Sequence, residues 1–379
     1  GTGPFKVSDN YVWDKDNLSV VKNPNYWRKD AKGQALPYLD AINFVNIKDA
    51  NQAKNAVLTG GYHVVQMGGA TDGTFIKRMR LAKSKLTEFK TPYEYYPSLW
   101  MNQVKEPAFT HKSCRQAVSY GVNRKEYVKR RGSGEMRAAT SIVGPTSVMF
   151  TTKGFLQYDL AKAKAAFAQC LTDAGVTSID IALPADKTNT SYLNSKELAR
   201  ELSAVGFNAT VATQQDSTDI ISTAFNASQG NQYKLINILL LEGTDVGFNL
   251  PFLVHDAYAG GTNPLASAYG ANGSLAKLGG ILNLSRHQDT EVARLGWLGR
   301  AVSPKANGQL DMAVAGPLFK SMTKYIQDEN LLTSISHQYV SIFTTKKVGG
   351  VGTLKTPGGK TPRVVTNWGI QYAGVYLKK

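Results

Sequence analysis

Enzyme signatures are what this sequence most visibly lacks. It contains no His-Glu-x-x-His pair, no Gly-x-Ser-x-Gly turn and no Gly-Lys-Ser/Thr phosphate loop. Its five histidines are scattered, and its acids form no sequence pattern typical of acid–base catalysis. A Ser-His-Asp triad assembled in space leaves no such pattern, so an enzyme stays the less favoured alternative. The sequence favours a binding protein, with no catalytic residue, no metal ligand and no cofactor expected.

Long apolar runs are also missing. No stretch approaches the roughly 18 apolar residues of a membrane-spanning helix. The longest, LINILLL at Leu235–Leu241, is interrupted only by Asn237 and has the length of a buried strand. The first ten residues, GTGPFKVSDN, contain no Met and no apolar signal core. They predict a turn followed by a strand, in which Phe5 and Val7 alternate with polar residues.

Cysteine is scarce. The two cysteines, Cys114 and Cys170, have neither the spacing of a metal site nor that of a Cys-x-x-Cys redox pair. From the residues alone, two buried thiols and a single disulfide both remain open. The disulfide requires an oxidising compartment outside the cytoplasm.

Negative charge is in deficit. The chain has 44 Lys and Arg against 28 Asp and Glu, a formal net charge of +16. Such a surplus suits an anionic partner, but it also suits a basic solvated surface. The densest clusters, Lys77–Lys85 and Arg124–Arg131, have apolar residues between the charges, as amphipathic surface helices do. No nucleic-acid-binding motif accompanies them, so no nucleic-acid partner is expected.

Short predicted strands and helices alternate along the chain, which indicates an α/β fold. Its 379 residues are too many for one ordinary core and predict at least two lobes. Asp49 and Gly175 illustrate the boundary signals, the first as a helix N-cap and the second as a helix stop. Two long elements are predicted without interruption, a helix over Cys114–Arg131 and a strand over Leu332–Thr345.

Several short motifs follow one another over almost the whole chain. They are LSVVKNPNYWRKD (Leu18–Asp30), PYLDAINFVNIKDANQAKNAVLTGG (Pro37–Gly61), LWMNQVKEPAFTHKSCRQAVSYGVNRKEYV (Leu99–Val128), YDLAKAKAAF (Tyr158–Phe167) and WGIQYAGVYLKK (Trp368–Lys379). In this order they resemble the family 5 extracytoplasmic solute-binding proteins of ABC importers, which bind dipeptides, oligopeptides or nickel. The sequence departs from the family at Tyr62 and His63, where an acid is common, and at Leu241, where a Trp often ends the strand.

The resemblance implies a two-lobed α/β fold of the type II periplasmic-binding-protein kind, with a hinge between the lobes. Residues 1–102 would form lobe I, 103–346 lobe II, and 347–379 the return to lobe I. In the family GTGPF follows an N-terminal segment, so the resemblance implies that this part of lobe I and the signal segment are missing here. It also implies an extracytoplasmic protein, either periplasmic or a cell-surface lipoprotein.

The implied function is capture of peptides in an interlobe cleft and their delivery to an ABC permease in the membrane. A monomer is expected. An oligosaccharide, an opine or a nickel chelate is the alternative ligand on the same fold. The oxidising compartment implied by the resemblance makes Cys114–Cys170 an expected disulfide.

Ligand-binding residues are carried over from the same resemblance. Glu242 takes the place of the acid that anchors the ligand's amine, with Asp245 as the fallback in the same loop. Lys187, after the strand IALP, takes the place of the carboxylate anchor, although a surface lysine is the competing interpretation. Four further residues are expected to line the cleft, with core packing as the alternative for the aromatic ones: Tyr96, Trp100, Asn102 and Phe248.

Overall fold

The computed structural model describes residues 1–8, 11, 16–47, 49–68, 73–90, 95–226, 231–241, 285, 291–292, 294–295, 311–355, 359, 365–366 and 369–378. The helices are α1 Ala50–Leu58, α2 Gly73–Leu81, α3 Lys112–Gly121, α4 Arg124–Arg131, α5 Leu160–Ala174, α6 Asn189–Val205, α7 Ser217–Ala224 and α8 Met312–Glu329. The strands are β1 Phe5–Val7, β2 Asn17–Lys22, β3 Ala41–Val45, β4 Val64–Gly68, β5 Leu86–Lys90, β6 Tyr95–Met101, β7 Met136–Ala138, β8 Asp180–Leu183, β9 Asn208–Val211, β10 Leu235–Leu241, β11 Leu332–Ser334, β12 Ser336–Gln338, β13 Val340–Thr345, β14 Val348–Gly349, β15 Val365–Thr366, β16 Gly369–Ile370 and β17 Tyr376–Leu377.

The chain divides into two units. The first comprises Gly1–Pro92 and Tyr339–Lys379, and the second comprises Tyr93–Gln338. Both boundaries fall earlier than the expected ones after residues 102 and 346. The physical reason is hydrogen bonding: β6 pairs along its whole length with β10, and Gln338 at the end of β12 pairs with Tyr95, so these strands stay with the second unit.

The first unit contains two three-stranded antiparallel sheets, one in the order β1-β2-β3 and one in the order β4-β13-β5. The pairs β14–β17 and β15–β16 complete its described strands. Asp49 begins α1 as predicted, since its side chain accepts a hydrogen bond from the Gln52 backbone N–H at 2.8 Å. The helices α1 and α2 bury one apolar face each, and a small core forms from Val57, Ile76, Met79, Leu86 and Phe343.

The second unit is built on an antiparallel sheet in the order β10-β6-β12-β7, with β11 pairing along β6 as well. One core of this unit lies between this sheet and α8. Phe319, Met322 and Ile326 recur at helical spacing on α8 and pack with Tyr96 and Trp100 of β6. The parallel pair β8–β9 lies in the same unit and is connected through α6.

Two predicted elements are interrupted. The helix expected over Cys114–Arg131 is two helices, because the backbone leaves the helical conformation at Val122 and Asn123. The Asn123 side chain then caps α4 by accepting a hydrogen bond from Glu126 N–H at 3.1 Å. The strand expected over Leu332–Thr345 is three strands: β11 and β12 pair within the second unit, while β13 pairs with β4 and β5 of the first.

A disulfide joins α3 to α5 in the second unit. Cys114 and Cys170 are both fully buried, with their sulfur atoms 2.01 Å apart and their Cα atoms 4.6 Å apart. Of the two possibilities that the residues alone left open, the structure therefore has the cross-link. Gly121 lies in the segment that the disulfide closes. Because glycine has no Cβ, Val205 of α6 can approach closely: a Cβ at position 121 would lie 2.5 Å from the valine Cγ2.

Candidate functional site

One row of residues runs across the sheet of the second unit at the point where the chain enters and leaves that unit. Leu241 pairs with Tyr95, Tyr95 with Gln338, and Gln338 with Met136. We call these four residues the crossing rung. Here β10 and β12 end while β6 and β7 begin, so all four strands have one terminus at the same edge of the sheet.

The three loop residues predicted from the resemblance, Glu242, Asp245 and Phe248, lie outside the described residues. Their attachment point is nevertheless defined. Glu242 directly follows Leu241 in the sequence, and Leu241 belongs to the crossing rung. The predicted amine-anchoring loop therefore starts from this edge of the sheet.

Tyr96 and Trp100 lie on one face of β6 and are completely buried in the core beneath α8. Their positions, four residues apart on a strand, place both on the same side of the sheet. The Tyr96 ring packs edge-on against His337, with ring centroids 5.7 Å apart. Trp100 Nε1 has no hydrogen-bond partner among the described residues. Both aromatic side chains thus serve the core of the second unit.

Asn102 follows the opposite end of β6 and is also fully buried. Its Nδ2 donates to the carbonyl oxygens of Asn231 and Tyr233, at 2.8 and 3.0 Å. Its Oδ1 accepts from the N–H groups of Val104 and Lys105, at 3.0 and 3.1 Å. The amide therefore fastens a turn to the segment before β10. Asn102 is seven steps along the extended chain from Tyr95, roughly 23 Å at about 3.3 Å per step.

Lys187 lies on the surface of the second unit. Its Nζ is 3.2 Å from Oδ2 of Asp216, and both side chains are about two-thirds exposed, at 64% and 63%. An exposed pair of this kind contributes little to stability because water screens it. The structure thus places Lys187 in a solvated ion pair of its own, and Asn102 in a backbone clamp.

Two polar side chains near the crossing rung were not recognised in the sequence. His337 Nε2 donates to the carbonyl oxygen of Ser141 at 2.9 Å, and burial lowers the pKa of its imidazole to about 4. Gln338 is 4% exposed and donates through Nε2 to Ser336 Oγ at 3.0 Å. The only sequence signal was the dipeptide His-Gln inside a strand region made otherwise of apolar, Ser and Thr residues.

A buried acid also lies beside this row. Glu135 directly precedes Met136 of the crossing rung and is only 2% exposed. The sequence signal was weak, because Glu135 stands in the Gly- and Ser-rich stretch RGSGEMRAATSIVGPTS that reads as an ordinary loop. The structure thus adds an acidic side chain to the set near the rung.

Within the described part of the chain, no helix has the length and apolar character needed to cross a membrane. No group of three or more His, Cys, Asp or Glu side chains with metal-binding geometry occurs among these residues either. At and beside the crossing rung the described polar side chains are those of Gln338, His337 and Glu135.

The α/β units, the antiparallel sheet and the two chain crossings define the type II periplasmic-binding-protein class. Residues 1–254 match the family model described as bacterial extracellular solute-binding proteins, family 5 Middle. The chain belongs to this family.

Curated relatives share part of the chain. The glutathione-binding protein GsiB of Salmonella typhimurium strain LT2 is 29% identical over 177 residues, which are 46% of this chain and 31% of that protein. GsiB of Escherichia coli K12 is 27% identical over a match of the same length and coverage. The matched part is thus less than a third of the length of these relatives.

Solved structures share the fold over the whole chain. AgaA of A. tumefaciens R10, in complex with agropinic acid, has a TM-score of 0.73 at 20% identity, with 100% of this chain and 67% of that chain covered. DppA of Helicobacter pylori, in complex with the peptide STSA, also has a TM-score of 0.73, at 18% identity and with 100% and 63% covered. AppA of Bacillus subtilis, in complex with a nonapeptide, has a TM-score of 0.70 at 17% identity, with 100% and 66% covered.

Proposed function

We propose that this chain belongs to the solute-binding component of an ABC importer, which captures peptides outside the cytoplasm and delivers them to a membrane permease. The observation that carries the proposal is the family match over residues 1–254, two-thirds of the chain. The shared fold with peptide complexes of DppA and AppA supports it. The protein works as a monomer, in the periplasm or as a lipoprotein on the cell surface.

The ligand is held at the crossing-rung end of the second unit's sheet. Support comes from the register, because β10 ends there and the loop with Glu242 and Asp245 starts there. Glu135, His337 and Gln338 supply further polar groups at or beside the same edge. Three predicted residues are left out of the binding set: Trp100 packs in the core, Asn102 holds backbone groups and Lys187 is paired with Asp216.

The proposed recognition chemistry is a charge-assisted hydrogen bond between the peptide's amino group and a carboxylate. A peptide has a cationic amine at one end, and the loop after β10 contains two acids and no base over residues 242–250. Glu242 is the proposed anchor and Asp245 the fallback. Removing one partner of a desolvated charge pair costs about 2–5 kcal/mol of binding free energy.

Calorimetry with a peptide panel tests this mechanism. Free peptides should bind more tightly than their N-acetylated forms, and Glu242→Gln should remove the difference. Glu126→Gln, an acid on α4 engaged by Lys129 and Arg130, is the matched control and should leave binding unchanged. Equal affinity for free and acetylated peptides would refute the amine anchor. The measurement is made on this chain and on the longest reading frame that contains it.

An opine is the second candidate ligand, because the complex of AgaA with agropinic acid matches this chain with the same TM-score as the DppA peptide complex. A thermal-shift screen separates the candidates. It compares di- to nonapeptides, glutathione, agropinic acid, oligosaccharides and nickel chelates. Stabilisation by peptides or glutathione supports the peptide proposal, whereas stabilisation by agropinic acid alone replaces it with an opine.

A further inference from the structure

Three backbone connections of the first unit converge at one end of the β4-β13-β5 sheet. The N–H of Thr345 donates to His63 O at 2.9 Å, and the N–H of Lys346 donates to Lys85 O at 3.2 Å. The N–H of Lys378 donates to Lys347 O at 2.7 Å. We call the five exposed lysines on these connections the basic end: Lys83, Lys85, Lys346, Lys347 and Lys378.

The charge of the basic end is not compensated within the described part of the chain. None of its five lysines forms an ion pair with a described residue, and Lys346 Nζ donates to the neutral hydroxyl of Thr87 at 3.1 Å. Glu88, the one acid on β5, is already held by Arg80 at 2.8 Å and by the Ser341 hydroxyl at 2.7 Å. The basic end therefore presents a cluster of free positive charges.

Apolar side chains accompany this charge. Leu81, the last residue of α2, is 84% exposed, and Leu377 on β17 is 46% exposed. Lys77 and Arg78 lie four and three residues before Leu81, on the same face of α2, and both are exposed. The N–H of Leu86 donates to Ala82 O, which folds the chain after Leu81 back toward the basic end.

We propose that the basic end docks on the surface of a lipid bilayer that contains anionic phospholipids. Lysines and arginines would contact the phosphate groups, while Leu81 and Leu377 would enter the boundary between headgroups and acyl chains. This combination of a cationic face with apolar side chains is typical of interfacial membrane contacts. A protein partner fits less well, since protein interfaces have a contiguous apolar centre, and here single leucines stand among charges.

Helix α4, which is also basic, differs from α2 in its ion pairs and in its exposed apolar residues. On α4, Lys129 and Arg130 lie 3.6 and 3.5 Å from the Glu126 carboxylate, so part of its charge is compensated. Glu197 of α6 also pairs with Arg130 and Arg200. No large apolar residue of α4 is exposed. Although α4 has the larger formal charge, +4 against +3 on α2, the two helices are therefore expected to behave differently at a membrane.

Vesicle co-sedimentation of the purified chain tests the proposal. Binding is expected to phosphatidylcholine vesicles that contain phosphatidylglycerol, but not to pure phosphatidylcholine, and it should fall as salt screens the charges. Lys83→Glu/Lys85→Glu/Lys347→Glu should weaken binding by roughly a hundredfold or more, at about fivefold for each of the three lysines. Leu81→Ser should weaken it by a smaller factor.

The matched control reverses three exposed lysines of the second unit, Lys125→Glu/Lys164→Glu/Lys196→Glu, and should leave binding within about twofold. Ile221→Ser, at an exposed apolar position of α7, controls for Leu81→Ser. Thermal unfolding of each variant checks that it is folded. An equal loss of vesicle binding in both triple variants would show that binding depends only on the net charge of the chain, and it would overturn the proposal. Retention on immobilised polyglutamate without binding to anionic vesicles would also overturn it, in favour of an acidic protein.

Discussion

The backbone N–H of Asn123 donates a hydrogen bond to Oε2 of Glu201 at 3.0 Å. This bond links α6 to the residue at which α3 ends and α4 begins. Glu201 is 4% exposed, and its Oε1 has no hydrogen-bond partner among the described residues. Burial raises the pKa of its carboxyl to about 8, with Glu197 acting in the same direction, while the Asn123 N–H and the cations of Arg200 and Arg124 act against the shift.

Glu201→Gln should therefore flatten the dependence of stability on pH. Because the folded-state pKa lies above the ordinary value of 4.5, the protonated carboxyl stabilises the fold below about pH 4.5. This contribution is lost as the pH rises through about 8, with a limiting slope of about 1.4 kcal/mol per pH unit. Urea unfolding between these pH values measures the effect.

The control is Glu126→Gln, the same substitution at a more exposed acid on α4. It should preserve the wild-type slope, whereas Glu201→Gln should be less sensitive to pH and more stable than the wild type at the alkaline end. An unchanged slope in Glu201→Gln would contradict this account of the buried carboxyl.

Arg124→Lys should destabilise the second unit strongly. The guanidinium is buried and donates to Ser334 O at 2.7 Å, to Thr333 Oγ1 at 2.5 Å and to the carbonyl oxygens of Ser119 and Val122. Lysine keeps the charge but lacks the planar fork, so buried acceptors lose their donors. We expect a loss of about 3 kcal/mol or more in the free energy of unfolding.

The matched control for this change is Arg130→Lys, since Arg130 is half exposed at 54%. Its free energy of unfolding should shift by no more than about 0.5 kcal/mol. Chemical denaturation of both variants gives the comparison. Similar small losses in the two would show that the buried hydrogen bonds of Arg124 contribute little.

Reduction of the Cys114–Cys170 disulfide should lower stability. The cross-link closes a loop with a sequence separation of 56 residues. The loss of this constraint on the unfolded chain costs about 4 kcal/mol, although strain and residual structure reduce such values. Thermal unfolding with and without reductant measures it, and Cys114→Ala/Cys170→Ala should behave like the reduced protein and become insensitive to reductant. Two titratable thiols in the oxidised native protein would contradict the cross-link.

Asn102→Ala should reduce stability while leaving ligand specificity unchanged. Truncation removes four hydrogen bonds between the side chain and buried or half-buried backbone groups, at a cost of about 2–3 kcal/mol. Lys105→Ala, a neighbour whose backbone but not side chain takes part, is the control. Thermal unfolding and the peptide panel are read together. A variant that keeps its melting temperature but loses ligand preference would return Asn102 to the binding site.

Elements with strong local signals could be predicted from the amino-acid sequence. Strand β10 was predicted over Leu235–Leu241, the bounds that the structure has. Gly175 was predicted as a helix stop, and it ends α5 in a left-handed conformation with φ 65°. These signals are local, because capping and periodicity depend on residues within one or two turns. The order of the short motifs along the chain was likewise sufficient to identify the family.

Strand pairing and the burial of polar groups, by contrast, depend on the tertiary structure. Nothing in the run Leu332–Thr345 indicates that β12 and β13 belong to different units, because strand propensity does not specify a partner. Asn102 and Tyr96 are residue types that suit a binding site. In the structure, however, the Asn102 side chain holds backbone groups and Tyr96 packs in a core. Arg124 lay in a basic cluster typical of a surface helix, and the contacts of α4 with β11 buried it. Burial and pairing are long-range properties, which a local pattern cannot encode.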